Sequence, residues 1–143
     1  MNQLLKVFQT PPQDPAASAG FLVLRVVAGL AVMFHGWGKI QNPFAWAGDK
    51  FPESLQFLAA LSEFGGGLAW ILGLLTPLAS FGIACTMAVA AHMHAIVRGD
   101  PFVAKGGGGS YELAALFLAI AVLLMLAGPG RYSLDRLAFG ERS

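Results

Sequence analysis

Six ionisable side chains lie inside, or at the edge of, long apolar stretches: Arg25, His35, Glu63, His92, His94 and Glu112. An arginine or carboxylate near the bilayer centre costs on the order of 2.5–3.5 kcal/mol even on insertion scales. Groups kept at that cost face the bundle interior and pair, so together they mark a candidate site. Histidine can donate, accept and move a proton near neutral pH. A carboxylate can orient the imidazole or relay its proton, and an arginine beside it holds the carboxylate ionised. Two chemistries fit such a set. One is proton-coupled redox work on a quinone, whose carbonyls need hydrogen-bond donors. The other is ligation of a metal or haem by imidazoles and carboxylates from several helices. Against the second, the chain has no Glu-x-x-His pair, and His92-x-His94 sets its imidazoles about 200° apart on a helix. A third reading involves no chemistry: the polar groups lock the helices together.

The elements that must position these residues are four apolar segments, at about 19–40, 56–75, 79–97 and 111–127. Each approaches the ~20 residues that cross ~30 Å of hydrocarbon. A spanning backbone must satisfy its own hydrogen bonds, so the segments are helices. The expected fold is all-α, an antiparallel bundle of four transmembrane helices. Residues 1–18 form an extramembrane segment, 19–130 the membrane domain and 131–143 a tail. Helices two and three meet at Thr76-Pro77, a turn short enough to make them antiparallel neighbours. Small residues at Gly65, Ala69 and Gly73 predict a close-packing stripe on the second helix, with Ala28, Val32 and Gly36 a weaker one on the first.

Composition supports a membrane protein. Hydrophobic residues make up 56% of the chain and charged residues 12%, about half the charged share of a soluble domain. A net charge of +1 without a basic run excludes nucleic acid as a partner. The single cysteine, Cys85, can form no internal disulfide or CxxC relay and reads as a small buried core residue. No signal-peptide core precedes the first span, which is therefore retained. Basic residues divide evenly, with Lys6, Arg131, Arg136 and Arg142 on one side and Lys39, Lys50, Arg98 and Lys105 on the other. The cluster after the fourth helix favours cytoplasmic termini.

Depth gathers the polar groups. Counted along their helices, His35, Glu63, His92, His94 and Glu112 all fall within ~12 Å of the same membrane surface, and Arg25 about 15 Å deeper than His35. Arg25 is then the expected ion-pair partner of Glu63 or Glu112. Trp37 and Lys39 read as anchors at the interface, and His94 as a ring snorkelling toward water.

The order of these residues resembles one known family. An arginine early in the first span is followed by "FHGWGK", "SEFGGGLAWILGLLTPLAS", a late histidine in the third span, and "YELAALFLAIAVLLMLAGPGRYSLD". The chain is similar in this to the DoxX family over roughly residues 21–135. The resemblance implies a four-helix membrane protein of the bacterial inner membrane. It also implies an association with redox chemistry, since relatives include the DoxD-like subunit of a thiosulfate:quinone oxidoreductase. Carried onto this chain, the family pattern points to Arg25, His35, Gly36, Lys39, Glu63, His92 and Glu112.

The combined expectation is a small oxidoreductase-associated protein binding a quinone or a small sulfur-containing substrate. His35, Glu63 and His92 are the expected catalytic groups, and Arg25, Lys39 and Glu112 the expected substrate contacts. Membrane lipid, a quinone, a partner redox subunit and a second copy of the chain are the expected associations. No residues are assigned to a metal. The competing readings are a non-enzymatic scaffold that stabilises a partner, and a metal- or haem-binding protein.

Overall fold

The computed structural model describes residues 3–142. Its main elements are five helices, α1 (Pro15–Gln41), α2 (Glu53–Leu72), α3 (Thr76–His92), α4 (Glu112–Ala127) and α5 (Leu134–Phe139). A single π-helical turn, Met93–Val97, prolongs α3. Three stretches are long and apolar enough to cross a membrane: Pro15–Gln41, Glu53–Leu72 and Thr76–Val97. The fourth apolar helix, α4, has 16 residues and a length of about 24 Å.

Local chemistry sets the helix ends. Asp14 caps α1 through its two carboxylate oxygens, which accept from Ala16 N and Ala17 N at 3.0 Å, and Pro15 fills the first turn where no N–H is needed. Those donated bonds hold the exposed Asp14 carboxyl below its ordinary value. Helix α2 stops at Gly73, whose backbone takes the left-handed conformation at φ 64° that glycine adopts without strain.

Helices α1 and α2 pack most intimately, because glycines remove the side chains between them. A Cβ on Gly29 would stand 2.7 Å from Gly67 O, one on Gly67 would stand 2.7 Å from Met33 N, and one on Gly36 would stand 2.5 Å from Phe64 N. Position rises on α1 as it falls on α2, so the pair is antiparallel. The same inversion relates α2 to α3, where Trp70 Nε1 donates to Ser80 Oγ at 2.9 Å and Gly66 faces Ile83. The core runs along this seam and into α4 through Val32, Trp70, Ile83, Ala121 and Leu124. The stripe expected at Gly65, Ala69 and Gly73 is not the one used. Gly65 meets only Leu61 of its own helix. Helix α2 has two neighbours about 100° apart, so consecutive glycines, Gly66 and Gly67, serve one each.

At one end the two terminal segments lie together. Thr10 N donates to Gly140 O and Arg142 N to Thr10 O, at 3.1 and 2.9 Å, and Phe8 packs against Phe139. The run Gly128-Pro129-Gly130 turns the chain beneath α1, where Arg131 N donates to Ser18 Oγ. Asp135 then reaches the α2–α3 turn. Its carboxylate accepts from Leu75 N at 2.6 Å and Thr76 N at 2.8 Å, and its own N–H donates to Gly73 O. The α3 N-terminus is therefore capped from 60 residues away in sequence.

Candidate functional site

At the opposite end a cavity of about 230 Å³ opens between the helices. Its polar lining is His35 and Lys39 on α1, Glu63 on α2, His94 on the π turn that prolongs α3 and Ser110 just before α4. The remaining wall is apolar, made by Val32, Met87, Ala90, Leu113, Ala114 and Phe117. Helices α1 and α4 meet at few places compared with the other neighbouring pairs, so this seam is the loosest wall. His35 stands there, exposed, with its ring edge-on to Phe117 at 6.1 Å.

Glu63 is only 2% exposed. Lys39 Nζ donates to Glu63 Oε1 at 2.5 Å, while Oε2 has no partner among the described residues. The ammonium also lies 4.6 Å above the Trp46 ring, a cation–π contact that needs an electron-rich face and a stripped cation. Trp46 is itself held, its indole N–H donating to Gln56 O at 2.8 Å. Buried Gln56 ties down the α1–α2 connection: its Oε1 accepts from Ala47 N, and its Nε2 donates to Gly48 O and Phe51 O. The loop that carries Trp46 is thus fixed beside the Lys39–Glu63 pair.

Across the cavity His94 Nδ1 lies 2.7 Å from Asp100 Oδ2. The backbone is fastened at the same place, with Asp100 N donating to His94 O at 2.9 Å. A π turn widens the helix by one residue per turn, and such turns occur often at functional sites.

The structure brings together His35, Lys39 and Glu63 of the expected set, and it adds His94. Three expected residues lie elsewhere. His92 is exposed and absent from the cavity wall, because the wall follows Met87, Ala90 and His94, the i, i+3, i+7 rhythm of one helical face. That spacing was readable in the sequence and would have chosen His94. Glu112 begins α4 half-buried outside the cavity. Arg25 does not pair with Glu63 or Glu112. It is fully buried at the other end, where Nη2 donates to Tyr132 O at 2.6 Å and Nη1 occupies the place that a Cβ on Gly73 would take. Ten residues of helix separate it from His35, too far for one shared site. Lys39, read as an interface anchor as well as a substrate contact, is the cation that neutralises Glu63. No sequence signal marks Trp46, Gln56 or Asp100, whose roles come from loop conformation. Among the described residues no three His, Cys, Asp or Glu side chains gather where they could share a metal ion.

The family model DoxX matches residues 20–95 of the chain. The inner membrane protein YqjF of Escherichia coli K12 is 33% identical over 127 residues, covering 82% of this chain and 91% of its own length. An uncharacterized protein of Haemophilus influenzae is 29% identical over 120 residues, with 81% and 88% covered. No solved structure matches the chain.

Proposed function

We propose, for a chain that belongs to the DoxX family and is a multi-pass protein of the bacterial inner membrane, that the cavity binds the head of a quinone. The observation that carries this reading is the joint character of the site: an apolar-walled space, loosest toward lipid at α1–α4, with polar groups fixed on facing walls. Pockets for small molecules have this form, mostly apolar with a few placed polar groups.

The charge balance separates a quinone from a small sulfur anion. Lys39 is committed to Glu63. The other carboxylate nearby, Asp100, is held by His94. Among the described residues no lysine or arginine is left unpaired on the wall to balance an anion, whose desolvation would then go uncompensated. A neutral ring with an apolar tail meets no such penalty. Its oxygens could reach the remaining Lys39 N–H groups and the His35 ring, while the tail leaves through the α1–α4 seam.

In this reading all four long apolar helices cross the membrane as an antiparallel bundle, α4 at the thinner limit of a span. The termini face the cytoplasm. The basic cluster Arg131, Arg136 and Arg142 that follows α4 supports that side. The site would serve an oxidoreductase partner that supplies electrons, since Cys85, which lies exposed on α3 and not in the core as expected, cannot alone cycle as a dithiol.

Quinone extracted from protein purified in native-lipid discs tests the proposal. The wild type should carry quinone above the level of the surrounding lipid, and Ala114→Trp, which fills the cavity without touching a charge, should lose the excess. Equal, lipid-level quinone in both would refute the reading. Loss of a co-purifying partner from Glu63→Gln, with no quinone in either sample, would establish the scaffold role instead.

A further inference from the structure

We infer that the end of the bundle where the two terminal segments meet binds the headgroup of an anionic phospholipid, with Lys6 and Arg142 as its cations. The site is a cleft of about 310 Å³ lined by Lys6, Val7, Gln9 and Arg142, at the opposite end of the bundle from the cavity of His35 and Glu63. Its walls are fixed by backbone. Arg142 N donates to Thr10 O, and Thr10 N to Gly140 O. The Arg142 guanidinium turns back on the same segment, Nη2 donating to Lys6 O at 3.3 Å. Two like charges are thereby kept beside one cleft, which costs energy until a counter-charge arrives.

The carboxylates described at this end do not supply that counter-charge. Glu141, next in sequence to Arg142, pairs with Arg136 at 2.6 Å. Asp135 accepts from Leu75 N and Thr76 N, and Asp14 from Ala16 N and Ala17 N. Neither Lys6 nor Arg142 has an ion-pair partner among the described residues, and both are exposed. One guanidinium N–H holds Lys6 O. The other N–H groups, the ammonium and the Gln9 amide can donate to the oxygens of a phosphodiester, and bonds of this charge-assisted kind are the strong ones.

Depth identifies the anion as a lipid phosphate. Only Gly73, Leu74 and Leu75 separate α2 from α3, so this turn sits where the hydrocarbon ends. Asp135 is bonded to it, which sets α5 at the same level. The 3-10 turn Gln3–Phe8, which carries Lys6, packs on both α5 and α3. Tyr132 is 52% exposed and Leu137 83% exposed in this layer, as suits side chains that enter a membrane interface. A cleft at that depth faces phosphates, and basic pockets at the ends of spans take anionic headgroups.

Native mass spectrometry of the full chain, with phosphatidylglycerol or phosphatidylcholine titrated into the same detergent, tests the inference. The wild type should bind phosphatidylglycerol at least about tenfold more tightly, since each lysine or arginine near the surface is worth about fivefold. Lys6→Gln, whose side chain makes no hydrogen bond among the described residues, should lower that preference about fivefold. Lys6→Gln with Arg142→Gln should bring the two lipids to equal affinity, and Lys6→Arg with Arg142→Lys should keep the preference. Lys50→Gln with Arg98→Gln removes the same charge at the loop end and should change nothing. Equal affinity of the wild type for both lipids overturns the inference. So does a preference that the loop-end pair lowers as much as the terminal pair, because net charge alone would then account for it. If inorganic phosphate at equal concentration displaces the lipid, the cleft is a free-anion site and the lipid assignment falls.

Discussion

Lys39 on α1 and Glu63 on α2 close to 2.5 Å because Gly36 leaves no side chain between their helices; a Cβ there would stand 2.8 Å from the Glu63 Cβ. The close approach of two backbones and the burial of a carboxylate are thus one feature. A buried charge without its partner is far more costly than the pair. Lys39→Met should therefore destabilise the protein by about 3–5 kcal/mol. The double change Lys39→Met with Glu63→Leu should recover most of that loss. Thermal unfolding of the four species in detergent, read as a double-mutant cycle, checks this.

The glycine contacts give a graded prediction. Gly36→Ala and Gly67→Ala place a methyl against backbone at 2.5–2.6 Å, so α1 and α2 must separate, at a cost of about 1–3 kcal/mol each. Gly20→Ala and Gly38→Ala meet nothing within 4 Å and should be neutral or stabilise the helix by up to about 1 kcal/mol. Unfolding midpoints of the four variants should split into these two groups.

At the other end, Asp135 satisfies two backbone N–H groups of the α2–α3 turn and Arg25 holds Tyr132 O. Asp135→Ala should cost about 1–3 kcal/mol for each donor left buried and unsatisfied. It should also release the tail, making cleavage after Arg131 or Arg136 by trypsin faster than in the wild type. Arg25→Met should do the same, while quinone content stays unchanged because Arg25 takes no part in the cavity.

A pH effect follows from Asp14. Its carboxyl lies below the ordinary value of 3.8 because Ala17 N and Ala16 N donate to the ionised form. The resulting support for the α1 N-terminus is complete above that ordinary value and is lost as pH falls through the lower native one. Amide exchange at Ala16 and Ala17 should accelerate only under strongly acidic conditions, and Asp14→Asn should flatten the dependence.

The helices were legible because hydrocarbon length and hydropathy leave few alternatives to a spanning helix; the sequence segments and α1–α4 agree within a few residues. Common depth was also legible, and it brought His35, Glu63 and Lys39 to one end. Facing was harder. His92 and His94 have equal claims by depth, and only the helical phase set by Met87 and Ala90 separates them. Arg25 was misassigned because depth was outweighed by charge: opposite charges in a membrane invite pairing, but its partner is a carbonyl supplied by the turn after α4. Asp135 and Asp100 act through backbone groups and loop closure, and neither has a periodicity to betray it.

The most direct measurement of the central claim is photolabelling of the protein in native-lipid discs with an azido-quinone, followed by mapping of the modified peptides. The account predicts labels on cavity residues of α1, α3 and α4, such as Val32, Met87 and Phe117, that unlabelled decylubiquinone displaces and Ala114→Trp abolishes. Labels confined to lipid-facing residues such as Val23, Phe81 and Leu126, undiminished by competitor, would contradict it.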